Sequence, residues 1–496
     1  MFFDQEKMKG GKALLDIIAL ITELVEKIYR EREKFIEDPA GFSDFETGVH
    51  KSFVEGARQF LVATLEDLDD EISKDSYRQI HYNVQRHDNR TIITTVGDVT
   101  FNRRLYRERK SGKYRYLLDD VMKLEPHERF SEAAESAMLG EAVKTSYHEA
   151  SYVVPTESGI TKTTVMNKVH GLTEWIPEEG RGEKKEAEYL LIDADEDHIA
   201  EQHGRGSKKE NSSFMSRLLY VYEGKSSECT GRKQLNGIHY IGGLYSGSEG
   251  IKTMWEETWE YIRKNYDTTK LEKIYVCGDG AQWIKKCTEW LPLSEFVLDR
   301  YHLMKYIYDA TGWMIDSKEE ARSELYRMIV GNRKQEFTDY TLLMAKTAPN
   351  AETVETMQTY ILNNWEAIQA SYHDGNCEGC SAEGHVSHVF SDRMSSRPMG
   401  WSQEGADSMS RLRCYVKNNG SEKIIDLVKY NRKKRREKLA KTGTDDAEVF
   451  SKGIKIDHGT EDRYDIDASY IERIQASIPG IEAIKTFSIR NQLHLL

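Results

Sequence analysis

Three acidic residues stand in three separated contexts: Asp195 in LLIDADED, Asp279 in YVCGDGAQW and Glu383 in CSAEGHVSH. The first ends an apolar run, the second follows one, and the third opens a predicted helix. Magnesium is a hard cation whose preferred protein ligands are carboxylate oxygens. Two such ions about 4 Å apart can activate an attacking oxygen and stabilise a leaving oxygen during an in-line displacement. Carboxylates far apart in sequence, at strand ends or on a helix, are what a protein uses to hold such a pair. The chemistry expected is phosphoryl transfer on nucleic acid, with two Mg²⁺ (or Mn²⁺) ions at Asp195, Asp279 and Glu383. Gly278 and Gly280 flank Asp279 and leave room for a phosphate, although a plain turn after a strand accounts for the same GDG.

Each acid has competitors. Asp193, Asp195 and Asp197 share parity, so on a strand all three point to one face; Asp195 is preferred and Asp193 comes second. Their D-x-D-x-D spacing is not an EF-hand, because the sixth position is His198 and the twelfth Gly204. Asp299 and His302 lie three apart and can share a helix face. Asp299 is either a helix N-cap or, with His302, part of the site, where His302 would meet the scissile phosphate. Cys377, Cys380, His385 and His388 have a C-x₂-C-x₄-H-x₂-H spacing whose thiolates and imidazoles suit zinc. Alternatively, the two histidines line the helix of Glu383 and touch DNA or a carboxylate.

The elements that must position these groups follow from pattern. Residues 1–88 read as helical, with leucine and isoleucine recurring every three or four positions. Over 89–177 a β-hairpin turning at Gly97 exposes Arg103 and Arg104 on its second strand. Three helical stretches, broken near Gly140 and Gly159, then end in a helix-turn-helix layout, SYHEASYVVP–TESGI–TKTTVMNKVHG. There Thr161, Lys162, Thr164 and Lys168 would face DNA, with Val165 and Val169 packed inward. An acidic linker, Glu178 to Glu188, precedes a change of pattern. Over 186–302 three strands are followed by alternating helix and strand, the βββαβαβ order of a ribonuclease-H-like fold. About eighty residues separate His302 from Glu383, too many for a loop inside a compact domain. They read as an all-helical insertion over 303–375, ahead of a final catalytic helix and basic segment over 376–442 and a tail over 443–496. The expected class is therefore an α/β ribonuclease-H-like catalytic domain with an all-helical insertion, preceded by a mainly α N-terminal DNA-binding region.

Composition bounds this reading. A chain of 496 residues, 39% hydrophobic and 31% charged, is long enough for two to four domains with sizeable cores. Its longest apolar stretch, Ala13 to Val25, carries Asp16 and Glu23 and is too short to span a bilayer. Six cysteines without dense spacing fit a reducing cytoplasm, which is the expected location. The net charge of −13 argues against a nucleic-acid partner only on average, since binding depends on local patches. Arg411 to Lys441 holds twelve Lys/Arg against three acids, including Arg432, Lys433, Lys434, Arg435 and Arg436. Arg103 to Arg115 holds seven basic residues and one acid. Solvated helix faces account for either run alone; two beside a carboxylate site favour phosphate contacts.

From the TTVGDVTFNRRLY hairpin to GWSQEGADSMSRLR, the chain resembles the bacterial insertion-sequence DDE transposases of the ISLre family, distant relatives of the Mutator-like transposases. ADEDH, CGDGAQWI, LDRYHLMKY and CSAEGHVSHVFSDRMSSRPMGWS carry the resemblance. It implies that Asp195, Asp279 and Glu383 form the catalytic triad, with Glu404 as competitor for the last place, and that Asp299 and His302 match a D-x-x-H motif. It further implies binding to the double-stranded terminal inverted repeats of the element, cleavage by water, and attack of the freed 3′-hydroxyl on target DNA by at least a dimer. Arg393 and Arg397 are candidate phosphate contacts, because guanidinium can grip phosphate as a fork.

Overall fold

A run such as Leu190-Leu191-Ile192, apolar at both parities, must be covered on both faces if it is a strand. In the computed structural model, which describes residues 5–177, 180, 182–202, 212–226, 234–377, 379–397 and 399–441, that run lies in the middle of a sheet. The expected tail over 443–496 and residues 178, 179 and 181 of the acidic linker lie outside the described residues. Among the described residues no helix is long and apolar enough to cross a membrane. The chain divides into two units, one built from parts of 1–138, 148–162 and 428–496, the other from 139–147 and 163–427.

The first unit begins with two long helices, α1 (Gln5–Glu37) and α2 (Phe42–Lys74). They are followed by an antiparallel hairpin of β1 (Tyr82–Thr94) and β2 (Gly97–Glu108). The hairpin reverses over Thr95-Val96, and Gly97 takes a φ of 108° that a side chain would resist. Ile92, Val99, Phe101 and Tyr106 pack with Ile72 of α2 and with Leu117 and Leu118. The hairpin arginines differ from their expected exposure. Arg104 forms ion pairs of 2.6 Å with both Asp69 and Asp70 of α2. Arg103 pairs with Asp119 and lies 3.6 Å over the Tyr116 ring. Both cations are neutralised within the fold, because the acids of α2 and of residues 117–122 back the strand that carries them.

In the second unit, β3 (Tyr189–Ala200), β4 (Ser213–Tyr222) and β5 (His239–Gly243) are joined by α3 (Gly247–Asn265) to β6 (Lys273–Gly278) and then β7 (Ser294–Leu298). The strand order is β7-β6-β3-β4-β5. Strand β4 runs antiparallel to β3 and β5, whereas β6 and β7 run parallel to β3. Leu190, Ile192 and Ala194 enter one core with Met254, Trp255 and Ile262 of α3. Leu191 enters a second core on the opposite face, with Tyr220, Tyr222, Tyr275 and Val297. The mixed sheet and the helical N-terminal region agree with expectation, except that the helical stretch expected to reach 88 gives way to β1 at Tyr82.

After β7 come five helices: α4 (Arg300–Thr311), α5 (Lys318–Val330), α6 (Lys334–Thr347), α7 (Ala351–Asn363) and α8 (Trp365–His373). They share a core that includes Ile307, Leu325, Phe337, Met357 and Trp365. Helix α9 (Ala382–Val386) continues through a π-helical turn (Ser387–Ser391) into the short helix Asp392–Met394. Two long helices follow, α10 (Gln403–Asn419) and α11 (Ile424–Lys441). Two local expectations are corrected. The helix Glu132–Ala142 runs straight through Gly140, whose added Cβ would meet only Ile424 at 3.5 Å. The first helix of the helix-turn-helix layout is a single turn, Tyr147–Ala150. It ends at Ala150, and Pro155, which disfavours helical geometry at Val154, keeps it from resuming there.

The basic run of α11 is matched by acids of the same unit. Arg432, buried, forms a 2.5 Å ion pair with Glu135 and lies 3.7 Å from Glu128. Arg435 pairs with Glu125 at 2.7 Å, and Arg436 reaches the Lys123 carbonyl at 3.3 Å. Removing one partner of a buried pair leaves an uncompensated charge. Arg432→Ala should therefore destabilise the protein by about 3–5 kcal/mol, while the exposed Lys433→Ala stays within about 0.5 kcal/mol. Denaturant unfolding followed by circular dichroism checks both.

Candidate functional site

Register alone brings the carboxylates together. In the parallel ladder Asp193 of β3 lies opposite Cys277 of β6, so two residues further on Asp195 comes beside Asp279. Leu298 of β7 lies opposite Gly278, and the Asp299 amide donates to the Gly278 carbonyl at 2.9 Å. Asp195, midway along β3, thus lies in one row with Asp279 and Asp299, which directly follow β6 and β7. Asp195 feels the charges of Asp279 and His302, and with burial as the largest cause its carboxyl is pushed up to about 6. Like charges this close disfavour simultaneous ionisation.

Around this row the acids are held individually. Asp279 Oδ1 accepts from the Ala281 amide at 2.8 Å, and its carbonyl accepts from the Tyr360 hydroxyl at 2.6 Å. Tyr360 belongs to α7 and stacks on Tyr306 of α4, so the helical block braces the turn. Gly280, at φ 92°, lies so close to Asn364 that an added Cβ would approach it to 3.1 Å. Asp299 caps α4 by accepting from the Tyr301 amide at 3.1 Å. Its other oxygen lies 2.8 Å from His302 Nδ1. An ionised carboxylate only accepts, so Nδ1 carries the proton and Nε2 is left to meet a substrate. That hydrogen bond, with help from Asp279 and Asp195, raises the His302 pKa against the opposing effect of burial.

The three β3 acids are not equivalent. Asp193 is buried and accepts from Tyr220, Tyr222 and the Ser381 amide, at 2.7, 3.2 and 2.9 Å. Asp197 accepts from the Ser395 hydroxyl at 2.8 Å. Ser381 precedes α9 and Ser395 follows the short helix after it, so this helical run lies along β3 from Asp193 to Asp197. Asp195 lies between, its Oδ1 accepting from the neighbouring Glu196 amide at 2.8 Å. Helix α9 packs on β3 and carries Glu383, exposed, in its first turn. Glu404 is exposed in the first turn of α10.

Several expected binding groups lie elsewhere than foreseen. Arg393 is buried, donates to the Ala142 carbonyl at 2.9 Å and lies over the Trp401 and Tyr147 rings. It is a structural cation, because aromatic and carbonyl groups surround it. Arg397, Lys433 and Lys162 are exposed; Lys434 pairs with Glu437 at 3.5 Å. Thr164 and Lys168 are half-buried on the helix Lys162–His170, whose Val165 and Val169 face inward. His385 lies tilted against the Tyr220 ring, hydrogen-bonds the Tyr240 hydroxyl at 2.8 Å, and burial pushes it down to about 4. His388 is exposed beside Asp392. The residues missed from sequence were Tyr360 and Lys285. Lys285 lines a cleft of about 470 Å³ beside Gly280 with Tyr306, Tyr360 and Asn364. Neither residue sits in a motif.

The row suits a hard divalent cation: its donors are carboxylate oxygens, and their mutual repulsion is what such an ion relieves. Asp195→Asn should then raise thermal stability in chelator by about 1 kcal/mol, as relief of active-site strain commonly does. Millimolar Mg²⁺ should raise the melting temperature of the wild type but not of this variant. Scanning fluorimetry with and without Mg²⁺ reads both effects.

The model of an uncharacterised protein family, UPF0236, matches residues 36–433. A UPF0236 protein of Caldanaerobacter subterraneus subsp. tengcongensis is 35% identical over 429 residues, 86% of this chain and 82% of that one. A second from the same organism is 37% identical over 376 residues, 75% and 78% of the two chains. The solved Drosophila P element transposase strand transfer complex is similar over 68% of this chain and 94% of that one. There the identity is 11% and the TM-score 0.20, too slight a likeness to bear on fold or function.

Proposed function

The chain belongs to the UPF0236 family, and from that premise and the carboxylate row we propose that it is a DDE transposase with a ribonuclease-H-like catalytic domain. The observation that carries the proposal is Asp195 of β3 beside Asp279, which directly follows the adjoining parallel strand β6. The strand order β7-β6-β3-β4-β5, with only β4 reversed, is the arrangement expected of that fold. One of the relatives is named for eleven loci of a single genome and another for four. Recurrence at many loci is the footprint of an element that moves.

In this reading Asp195, Asp279 and Glu383 hold two Mg²⁺ (or Mn²⁺) ions. When bound, the ions supply Lewis-acid activation of the attacking oxygen and charge relief at the phosphodiester. The chain's own groups do the rest. Tyr360 and Gly280 fix the turn that aims Asp279. Asp299 holds His302 in one tautomer, and protonated His302 offers Nε2–H to a phosphate oxygen. Lys285, beside Asp279, and the exposed Arg397 are candidates to meet the DNA backbone, as are the exposed Lys162 and Lys433 on the other unit. The partner is double-stranded DNA, the terminal inverted repeats and then the target, bound by at least a dimer.

Full-length protein incubated with labelled terminal-repeat DNA, Mg²⁺ and a supercoiled plasmid should yield joined products. Asp279→Asn should retain DNA binding and lose joining by at least about 10³-fold, the scale of removing a key group that stabilises transition-state charge. Cleavage without joining would reduce the protein to a nuclease. Equal activity of variant and wild type would end the catalytic reading.

A further inference from the structure

The strongest unassigned feature lies one pleat beneath the carboxylate row. Asp193 of β3 and Cys277 of β6 are partners in the parallel ladder. The loop between α8 and α9 brings Cys380 to them, so that one donor atom from each lies within 4.8 Å of the others. Cys377 is buried in the same cluster as Leu191, Tyr220 and Tyr222 and is close enough to feel the charge of Cys277. Between the two loop cysteines, Gly379 takes a φ of 83° with open space around its missing Cβ. This left-handed turn reverses the loop between the two cysteines.

We propose that Asp193, Cys277, Cys377 and Cys380 form a tetrahedral site for a structural zinc ion. Thiolate and carboxylate are both zinc ligands, and a Zn–S bond of about 2.3 Å places tetrahedral donors about 3.8 Å apart. The donors of Asp193, Cys277 and Cys380, all within 4.8 Å of one another, close to that with a shift of about 1 Å, and Cys377 of the same loop moves in as the fourth ligand. The surroundings are those of a buried ligand set. Tyr220, Tyr222 and the Ser381 amide orient the Asp193 carboxylate, as outer hydrogen bonds do for metal ligands. Lys225 donates to the Gly379 carbonyl at 2.9 Å and adds positive charge beside thiolates. His385 and His388, the imidazoles that spacing alone paired with Cys377 and Cys380, are not required. The ion would pin the loop preceding Glu383 to β3, which carries Asp195, and to β6, which leads into Asp279, whatever reaction those acids perform.

Elemental analysis of the purified full-length protein tests this. One zinc per chain is expected, unaffected by Mg²⁺ and by His385→Ala or His388→Ala. Cys277→Ser and Cys380→Ser should each fall below a tenth of that content, while Cys287→Ser and Cys414→Ser, buried thiols elsewhere, keep it. Cobalt substitution of the wild type guards against misfolded variants, since three thiolates should give an intense sulfur-to-cobalt absorption band. Three results overturn the proposal. One is wild-type protein with neither zinc nor a cobalt–thiolate band. Another is full zinc content in Cys277→Ser. The third is a Cys277–Cys380 disulfide in the unreduced protein.

Discussion

Parallel pairing of β3, β6 and β7 forces three carboxylates into one row, and the second unit is organised around tolerating that. Neighbouring strands lie about 4.8 Å apart, so acids at equivalent positions cannot avoid one another. The sheet withstands the repulsion because its interior is apolar on both faces, with Leu190, Ile192 and Trp255 on one side and Leu191, Tyr275 and Val297 on the other. Burial there fixes the register, and the register fixes the charges. A one-residue slip would turn every one of these side chains to the wrong face.

The helices after β7 serve the same end from outside the sheet. Tyr360 holds the backbone of the Asp279 turn, and Asp299 both caps α4 and orients His302. Ser381 and Ser395 take Asp193 and Asp197 out of the competition, so that of three acids on one face of β3 only Asp195 stays directed at the row. The long helical block is therefore a brace for the strand ends as well as a separate hydrophobic core.

Charge in this protein is arranged pairwise. Two clusters that look like phosphate-binding surfaces in one dimension, Arg103-Arg104 and the run from Arg432, are largely met by Asp69, Asp70, Asp119, Glu125 and Glu135. An overall charge of −13 is consistent with that balance. Cations that stay exposed include Arg397 and Lys433 and, in the second half of the Arg103–Arg115 cluster, Arg107, Arg109, Lys110 and Lys113.

Sequence by itself determined the strands, the helical block and where Asp195 and Asp279 stand relative to their apolar runs, because periodicity and the ends of apolar runs are local properties. The turn at Gly97 and the inward Val165 and Val169 were legible for the same reason. Only the tertiary structure decided which groups meet. It placed Asp299 level with Asp279, engaged Asp193 with two tyrosines, and buried Arg393 among aromatic rings. It also gathered Cys277 with Cys380 rather than Cys380 with His388. These outcomes depend on register between strands and on which helix lies over which face. Contacts between residues tens to hundreds of positions apart leave no mark on local spacing.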